Sequence, residues 1–384
     1  MKIGQFSDTF LPIVDGVGRV VYNYAAALSR RGEECYVVAP MADGGYRGGY
    51  PFELVDFISM KLPRQKQYST GIPQLDPHYD ARMRCIDLDV IHAHSPFVSG
   101  LEAQRLGRRR NVPVIGMFHS RYYDDFYQLT RAEMLANLAV ATIVNFYLRC
   151  DEVWTVSQSS AETLFDYGYN GEIVVMPNGT PDVSPDEVNC AAARAHFHLP
   201  EAPILLYCGQ MNWKKNILRI LESCACLKQK GESFSLVFAG QGPDAHAIQQ
   251  KAAEFNLAER TIYTGHITDE TLLYGLFQCA DLFVFPSLYD TSGMVVREAA
   301  AMETPSVVVR GSATAEPILD GQNGLLCEDT TESLCAAIQR ALTDPEATRQ
   351  IGKNARKTIY VSWDDIAAHA VERYELLIDR FKNK

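Results

Sequence analysis

The sequence predicts an α/β protein in which two doubly wound domains follow one another along the chain. Short apolar strands alternate with stretches of helical apolar periodicity through all 384 residues, a pattern typical of parallel sheets. A chain of this length exceeds the usual size of one hydrophobic core. A Pro- and Asp-rich stretch between Met176 and Ile204 separates the two halves, so we expect domains at 1–182 and 183–364.

The first half opens with an apolar strand at 2–6 and a helix at 17–28 that stops at Arg30, Arg31 and Gly32. Its further strands are predicted near 35–39, 89–92, 113–118, 153–156 and 173–176, and its further helices near 97–109, 131–149 and 158–168. The last helix of the chain, 365–384, carries an apolar stripe. That stripe must pack against something, and we expect the helix to cross back to the first domain.

The second half repeats the alternation. Its strands are predicted at 203–209, 234–239, 260–264, 282–285 and 305–309, with helices that include 215–230 and 294–303. Doubly wound sheets bind ligands at the carboxyl ends of their strands. Two such domains that face one another would form a cleft, and we expect the active site there.

Composition excludes several classes of function. The formal net charge of -11 disfavours nucleic acid as a partner, because binding to phosphates needs a basic surface. Asp8 interrupts the N-terminal apolar run and no window reaches 18 apolar residues, so we expect neither a signal peptide nor a membrane span. The ten cysteines are scattered, which predicts no disulfide or metal framework and fits the cytoplasm.

The segment FPSLYDTSGMVVREAAAMETP carries the most information. A strand at 282–285 runs into a turn, a helix begins near Gly293, and Asp290 and Glu298 stand eight residues apart. Backbone N–H groups at a helix N-terminus suit hydroxyl and phosphate oxygens. The pattern alone fits a sugar nucleotide site and a solvated aspartate beside a packed helix about equally well.

This segment resembles the E-x7-E signature of retaining GT-B glycosyltransferases of the family 4 type, whose domains are Rossmann-like. Asp290 stands where the family has its first Glu, and the resemblance implies that it contacts hydroxyls of the donor sugar. Glu298 matches the second carboxylate, which implies a contact with the ribose. By the same resemblance, the sugar and the diphosphate lie against the intervening residues Thr291, Ser292, Gly293, Met294 and Val295.

Other motifs of the family follow in its order and cover nearly the whole chain: FSDTFLPIVDGVGRVV, DVIHAHSP, GMFHSRYYDDF, VSQSS, MPNG, CGQMNWKKN, FAGQGP and TGHI. Gly16 and Gly18 lie between the first strand and helix, where glycine permits a tight turn and close approach to phosphate. A plain turn fits them as well. The resemblance implies that they touch the donor diphosphate or the acceptor, whereas Arg19 remains open between that site and the surface.

In CGQMNWKKN, Lys215 matches the family lysine that neutralises the diphosphate leaving group. A flexible ammonium suits that task, although a lone lysine at a helix start is more often solvated. Gln210 stands where the family usually has arginine, and a neutral amide cannot offset phosphate charge. Lys214 is a possible substitute.

His119 follows the apolar strand VPVIGMF, and catalytic groups of such sheets collect at the carboxyl ends of strands. The resemblance implies that it meets the reacting centre, while a structural histidine is the alternative. For His92 we favour the structural role. Asp87 and Asp89 spell D-x-D but precede a strand, so we do not expect them to hold a metal ion.

The resemblance implies a retaining, metal-independent hexosyltransferase without a cofactor, whose co-substrate is a nucleotide sugar, with UDP-glucose as the first choice. It offers no nucleophilic carboxylate for a double displacement, so we expect front-face attack by the acceptor hydroxyl, with domain closure about a hinge near 177–203 and the last helix. A transferase for a soluble glycan or a small molecule, a UDP-sugar epimerase and a non-enzymatic binding protein remain alternatives.

The start of the chain and FHSRYYDDF most resemble bacterial diacylglycerol glucosyltransferases. That resemblance implies a lipid acceptor and a peripheral contact with the cytoplasmic membrane face. A basic amphipathic surface would serve such a contact, and LEAQRLGRRRN is the candidate, with Arg105, Arg108, Arg109 and Arg110. An arginine-capped helix end exposed to water is an equally good interpretation.

Overall fold

Two parallel sheets organise the computed structural model, which describes residues 1–11, 16–41, 48–61 and 69–383. The chain divides into two compact units, one formed by Met1–Asn178 with Trp363–Lys384 and the other by Gly179–Ser362. The chain passes from one unit to the other after residues 178 and 362, next to the boundaries expected at residues 182 and 364. Each unit is built on one sheet with helices on it, so the predicted doubly wound α/β class is confirmed.

The sheet of the first unit has seven strands in the order β3-β2-β1-β6-β7-β8-β9, all parallel. Its strands are β1 (Lys2–Phe6), β2 (Glu34–Pro40), β3 (Glu53–Phe57), β6 (Val90–Ala93), β7 (Val114–Phe118), β8 (Glu152–Thr155) and β9 (Val174–Val175). A separate antiparallel pair is formed by β4 (Ser59–Lys61) and β5 (Ser69–Gly71). Because β1, β6 and β7 are neighbours, the residues that follow them meet at one edge of the sheet.

Seven helices of the described residues belong to the first unit. They are α1 (Gly16–Arg30), α2 (Pro77–Arg84), α3 (Val98–Arg110), α4 (Tyr122–Thr130), α5 (Glu133–Tyr147), α6 (Gln158–Asp166) and, from the end of the chain, α14 (Trp363–Lys382). Asp8 caps the N-terminus of α3, because its carboxylate accepts a hydrogen bond from the backbone N–H of Ser99 at 2.9 Å. Such capping satisfies an N–H group that has no partner within the helix.

A buried carboxylate attaches α14 to the first sheet. Glu152 on β8 accepts two hydrogen bonds from Arg373, at 2.6 and 2.8 Å, and one from Arg380 at 2.7 Å. The indole N–H of Trp154 donates to the same carboxylate at 2.6 Å, and the Trp154 ring stacks on Tyr374 at 5.4 Å. The last helix is therefore held by charge-assisted hydrogen bonds as well as by its apolar stripe.

The second unit has a six-stranded parallel sheet in the order β12-β11-β10-β13-β14-β15. Its strands are β10 (Ile204–Cys208), β11 (Ser235–Ala239), β12 (Thr261–Gly265), β13 (Leu282–Phe285), β14 (Ser306–Val309) and β15 (Leu325–Cys327). Its helices are α7 (Glu187–His196), α8 (Ile217–Gln229), α9 (Ala245–Glu254), α10 (Glu270–Cys279), α11 (Met294–Ala301), α12 (Thr331–Thr343) and α13 (Pro345–Thr358). The two ends of this unit meet, because Thr180 donates its backbone N–H to Val361 at 2.9 Å.

Some elements differ from the prediction. Helix α4 (Tyr122–Thr130) was not predicted; it ends before Arg131, which lies in the left-handed region (φ 54°), and α5 (Glu133–Tyr147) then lies within the helix predicted at 131–149. A helix cannot continue through a left-handed residue. Strands β3, β4, β5 and β15 were not predicted. They are only three to five residues long, and Glu53 and Asp56 break the apolar pattern of β3.

Candidate active site

Lys215 and Asp290 form an ion pair in the second unit. The Lys215 Nζ atom lies 2.7 Å from Asp290 Oδ1. Lys215 ends a short 3-10 helix that follows β10, and Asp290 lies in the turn that follows β13. Strands β10 and β13 are adjacent and parallel, so their carboxyl ends bring together two residues that are 75 positions apart in the sequence.

The carboxylate of Asp290 is only partly satisfied by this pair. Within the described part of the chain, its Oδ2 atom is buried and accepts no hydrogen bond. A buried carboxylate oxygen without a donor costs free energy. The arrangement therefore provides an acceptor that a ligand hydroxyl could satisfy.

Two asparagines hold the Lys215 loop in place. Asn212 accepts from the backbone N–H of Lys214 at 3.0 Å and so starts the 3-10 turn. Asn216 ends it in the left-handed region, with φ 59°. The Asn216 side-chain amide donates to the Pro286 carbonyl at 3.1 Å and to Asp329 at 2.8 Å. It thereby ties the loop after β10 to the loop after β13.

The site has a surplus of positive charge close to Asp290. The ammonium groups of Lys214 and Lys215 lie 4.9 and 5.6 Å from the centre of the Tyr289 ring, which are cation–π distances. Burial, together with the Asp290 carboxylate, raises the pKa of Tyr207 well above its ordinary value. Its hydroxyl stays protonated and donates to the Gln210 carbonyl at 2.9 Å.

Gln210 is exposed, and it accepts the hydrogen bond from Tyr207 through its backbone carbonyl. Gln210 and Lys215 both lie in the segment that follows β10. Lys214, also exposed, is the cation that stands nearest to it in the sequence.

The turn after Asp290 requires glycine at its last position. Gly293 has φ 56° and ψ 47° and immediately precedes α11. A Cβ atom on Gly293 would lie 2.5 Å from Thr314 Cγ2, which is too close for any side chain. Thr291 and Ser292 are half-buried before it, and Met294 and Val295 form the half-buried first turn of α11. The first N–H groups of a helix have no acceptor within that helix, and they suit an anion.

Glu298 lies further along α11 and is 4% exposed. Its neighbour Arg297 donates to the Ile359 carbonyl at 2.8 Å, and burial lowers the pKa of that guanidinium. Glu298 is thus a buried glutamate on the helix that follows Gly293, and its contact with ribose remains a prediction.

Three glycines that the sequence reasoning did not single out bring neighbouring strand ends together. A Cβ atom on Gly240, which follows β11, would lie 2.0 Å from the Gly209 carbonyl oxygen after β10. Gly240 also donates its N–H to Gly265 at the end of β12 at 2.8 Å. The motifs CGQ, FAGQGP and TGHI thus pack backbone against backbone. Their shared glycines were the signal available in the sequence.

In the first unit, His119 lies directly after β7 and is 6% exposed. Its Nε2 atom lies 3.1 Å from Nδ1 of His94, which follows β6. Burial lowers the pKa of all three histidines of this cluster, His92, His94 and His119, that of His119 to about 3. His119 is therefore neutral near pH 7, and its predicted role at the reacting centre remains a prediction.

Gly16 and Gly18 are placed differently from the prediction. Both lie inside the first turn of α1, not in a turn before it; Gly16 is exposed and Gly18 is buried. Arg19 is half-buried beside them. Residues 12–15, which precede α1, lie outside the described residues, so the predicted contact of these glycines with phosphate or acceptor remains a prediction.

The basic helix end of α3 is less available than the sequence indicated. Arg105 donates two hydrogen bonds of 2.7 Å to the buried carboxylate of Glu102. Arg110 donates to the carbonyls of Ile86 and Met83. Only Arg108 and Arg109 of the four are exposed. Two of the four predicted membrane-facing charges are thus occupied inside the unit.

The D-x-D pair does not form a ligand cluster. Asp89 accepts the backbone N–H of Lys2 at 2.7 Å and immediately precedes β6. Across the described ranges, no three His, Cys, Asp or Glu side chains are grouped so that they could hold a metal ion.

Two family models match the chain. The model described as Glycosyltransferase Family 4 matches residues 14–182, and the model described as Glycosyl transferases group 1 matches residues 192–358. The matches correspond to the two units. The second contains Lys215, Asp290 and Glu298, and the first contains His119.

Curated proteins of known activity are similar over nearly the whole chain. A GDP-mannose-dependent alpha-(1-6)-phosphatidylinositol dimannoside mannosyltransferase of Mycobacterium tuberculosis is 30% identical over 376 residues, which are 96% of this chain and 94% of the relative. An alpha-monoglucosyldiacylglycerol synthase of Acholeplasma laidlawii is 23% identical over 400 residues, 100% of this chain and 99% of the relative.

Solved structures share the fold. Sucrose-phosphate synthase from Thermosynechococcus elongatus superposes with a TM-score of 0.80 at 21% identity and covers 99% of both chains. Anabaena HepE in complex with UDP superposes with a TM-score of 0.79 at 17% identity, over 98% of this chain and 100% of its own. The predicted GT-B architecture is confirmed. The chain thus belongs to the GT-B glycosyltransferases that combine a family 4 domain with a group 1 domain.

Proposed function

We propose that this glycosyltransferase is a retaining, metal-independent hexosyltransferase that moves glucose from UDP-glucose to a hydroxyl of a lipid acceptor such as diacylglycerol. The observation that carries the proposal is the Lys215–Asp290 pair at 2.7 Å, with a buried Asp290 oxygen that has no donor within the described residues. This pair stands before the N-terminus of α11.

The charges at this site match a nucleotide sugar. Lys215 and the first N–H groups of α11 offset the negative charge that grows on the diphosphate as the bond to the sugar breaks. Asp290 accepts a hydrogen bond from a sugar hydroxyl through its unsatisfied oxygen. Lys214 adds a second ammonium at the same loop. Because these groups supply positive charge, the reaction needs no divalent cation.

The pairing of Asp290 also supports front-face attack. A double displacement needs a carboxylate that attacks the anomeric carbon. The ammonium of Lys215 stabilises the negative charge of Asp290 and so weakens it as a nucleophile. In the proposed mechanism the acceptor hydroxyl forms the new bond on the face that the phosphate leaves, and the departing phosphate oxygen accepts the hydroxyl proton. The anomeric configuration is retained.

Exposed apolar side chains on the first unit support a lipid acceptor. The pair of helices α4 and α5 exposes large apolar residues, 37–78% accessible: Tyr127, Leu129, Met134, Leu135 and Leu138. Leu138 lies four residues after Met134 and three after Leu135, so it is the neighbour of both on the surface of α5. A helix face of this kind binds at the interface of a bilayer. None of the helices among the described residues could cross a membrane, so the proposed contact is peripheral.

The curated relatives favour one further candidate. The relative with 30% identity is named for GDP-mannose and a phosphatidylinositol dimannoside. Transfer of mannose from GDP-mannose to a glycolipid would use the same pair of charges, since the diphosphate is common to both donors. The choice between the two donors depends on contacts to the base and the sugar.

The decisive experiment measures transfer by the purified full chain from UDP-glucose and from GDP-mannose, with and without vesicles of phosphatidylglycerol and diacylglycerol. Proton NMR of the product reports the anomeric configuration. We expect an α-glucosyl lipid in the presence of EDTA. An inverted product would exclude retention, loss of activity in EDTA that Mg²⁺ restores would exclude metal independence, and turnover without vesicles would indicate a soluble acceptor or an epimerase.

A second experiment tests the membrane contact. We expect the double variant Met134→Ser, Leu138→Ser to sediment less with the same vesicles than the parent chain. Val188→Ser on α7 is the control, because Val188 is 74% exposed on the second unit. Equal sedimentation of all three proteins would exclude this face as the contact.

A further inference from the structure

Four of the ten cysteines form two close pairs in the second unit. In the α7–α10 pair, the Sγ atoms of Cys190 and Cys279 lie 2.7 Å apart. In the α8–α12 pair, the Sγ atoms of Cys226 and Cys335 lie 2.6 Å apart. All four are free thiols in this structure. The partners are 89 and 109 positions apart in the sequence, so the spacing of the cysteines did not reveal either pair.

The two sulfur atoms of each pair are close enough to be joined by a bond. The sulfurs of a disulfide lie about 2.05 Å apart, so each pair would close by a movement of about 0.6 Å. A small rotation about a Cα–Cβ bond moves a sulfur atom by that distance. Formation of either bond would therefore leave the helices where they are.

Helices α7 and α10 are already in backbone contact beside their cysteine pair. A Cβ atom on Gly275 of α10 would lie 2.2 Å from the carbonyl oxygen of Asn189 on α7. At the start of α7, the backbone N–H of Asp186 donates to the side chain of Gln278 at 2.7 Å. These contacts involve residues next to both cysteines in the sequence, so the first pair lies within a fixed contact between two helices.

Helices α8 and α12 are held together in a similar way. The Ser223 hydroxyl donates to the Thr331 carbonyl at 3.1 Å, and the Lys230 ammonium donates to the side chain of Gln339 at 3.0 Å. Cys226 lies between Ser223 and Lys230 on α8. The second pair therefore also lies within a contact that exists without any covalent bond.

The two members of each pair differ in exposure. Cys190 and Cys226 are half-buried, whereas Cys279 and Cys335 are buried. Burial raises the pKa of the Cys279 thiol, and it raises that of Cys335 to about 11. The thiolate is the reactive form of cysteine. A dissolved oxidant would therefore react first with the half-buried member of each pair.

A basic residue stands one helical turn after each half-buried cysteine. Arg194 follows Cys190 by four residues on α7, and Lys230 follows Cys226 by four residues at the end of α8. Residues at this spacing are neighbours on a helix surface, and a nearby cation stabilises a thiolate. The same two cations oppose the effect of burial on the pKa of the buried partners.

We propose that the two cysteine pairs are redox modification sites, at which a small-molecule disulfide oxidises the thiols and links α7 to α10 and α8 to α12. The half-buried thiolate attacks one sulfur of the oxidant, forms a mixed disulfide and releases one half of the oxidant. The buried thiol then loses its proton and attacks the protein sulfur of the mixed disulfide, which releases the other half. Two protein thiols are oxidised, and the oxidant is reduced to two thiols that carry the two protons.

The bonds would stabilise the unit that carries Lys215 and Asp290. A disulfide restricts the unfolded chain, and the effect increases with the length of the loop that it closes. Both pairs join positions far apart in the sequence. Because the helices need not move, the folded state should lose little of this gain to strain.

Peptide mapping tests the proposal directly. The purified full chain is incubated with oxidised glutathione at pH 8, the remaining thiols are alkylated, and the digest is analysed by mass spectrometry. We expect disulfides between Cys190 and Cys279 and between Cys226 and Cys335, both reversed by dithiothreitol. Alkylated thiols or persistent glutathione adducts at these four residues would overturn the proposal. A bond from Cys335 to Cys224 would overturn it for the α8–α12 pair.

Variants then test the effect of the bonds on stability. We expect oxidation to raise the urea midpoint of the parent chain, and to raise that of Cys190→Ser and Cys226→Ser less, since each variant keeps one pair. Cys85→Ser is the control, because Cys85 is an exposed cysteine of the first unit, and its midpoint should rise as much as that of the parent. An equal or lower midpoint of the oxidised parent would mean that the bonds do not join the helices in place. The peptide map of the parent stands even if a variant folds poorly.

Discussion

The Lys215 ammonium donates to the Asp290 carboxylate at 2.7 Å, and their side chains are only 17% and 20% exposed. The two residues lie in the loops that follow neighbouring strands, and their charges partly neutralise one another. An ammonium has three N–H donors, so Lys215 can contact a bound diphosphate while it stays paired with Asp290. A sugar hydroxyl would take the unsatisfied Asp290 oxygen. Binding of the donor would therefore add contacts with substrate to a pair that stays in place.

Replacement of Lys215 by alanine should lower kcat about 100-fold, since a fixed positive charge at the leaving group has effects of that order. The donor KM should change less, because the charge on the phosphate grows as the bond breaks. Lys214→Ala is the comparison, as Lys214 belongs to the same loop but is exposed. Steady-state rates with a saturating acceptor measure both. An equal loss of kcat in Lys215→Ala and Lys214→Ala would contradict the proposal that Lys215 in particular stabilises the leaving group.

Gly293→Ala should impair both stability and donor binding. The backbone at Gly293 has φ 56°, and an added Cβ would lie 2.5 Å from Thr314 Cγ2. Gly231→Ala is a matched control with φ 81° and no atom within 4 Å, so it carries only the cost of the backbone, about 1 kcal/mol. Urea unfolding should give a larger loss for Gly293→Ala, by about 1–3 kcal/mol, and only this variant should raise the donor KM.

The second-unit site was predictable because its residues follow strands whose order is regular. Gly293 and Asp290 follow one apolar strand and Lys215 follows another, and parallel packing brings such ends together. The ion pair itself was not predictable, since it depends on which two strands are neighbours in the sheet. Asn216, which ties the two loops together, resembled any other polar residue of a loop.

Acid should destabilise the first unit through its buried histidines. The pKa of His119 is about 3 in the folded protein, below its ordinary value of 6.5. Between these two pH values the His119 side chain is protonated in the unfolded chain and neutral in the folded chain. The contribution to stability is complete above pH 6.5 and is lost as the pH falls from there towards 3, by about 1.4 kcal/mol per pH unit for each histidine.

Unfolding free energies measured from pH 7 to pH 4 test this sign. The parent chain should lose stability steeply below pH 6.5, and His119→Asn should lose less per pH unit. Identical pH dependence in the two proteins would mean that the pKa of His119 is the same in the folded and the unfolded chain. In the activity profile, we expect no titration of His119 between pH 5 and pH 8.

Glu152→Gln should loosen α14. The carboxylate receives hydrogen bonds from Arg373 and Arg380, and their side chains are 31% and 55% exposed. Because both arginines reach water, we expect a loss of about 1–3 kcal/mol, below that for a fully buried pair. Glu162→Gln on α6 is the control, since Glu162 is exposed, and hydrogen exchange should report faster opening of α14 only in the first variant.

The first-unit part of the site was harder to predict from the sequence. His119 was identifiable from its place after a strand. Its partner His94 follows a second strand, and Gln5, whose side-chain oxygen contacts His94, lies on a third. Tyr374 comes from the far end of the chain and appeared only as one apolar position of a stripe. The predicted basic surface was weakened for a related reason: Arg105 pairs with Glu102 three residues earlier on α3, and Glu102 is buried where Tyr79 of α2 donates to it, which the sequence does not reveal.

The place of α14 in the sequence determines the order in which the molecule can be completed. Proteins are synthesised from the N-terminus, so Gly179–Ser362 leaves the ribosome with every strand of its own sheet before α14 exists. The first unit has all of its sheet by then, but it still lacks Tyr374 and the arginines that bind Glu152. The unit that is made first is therefore finished last. Tyr374 can contact Gln5 and His92 only after α14 has been synthesised, so this buried polar cluster is completed later than the sheet of the second unit.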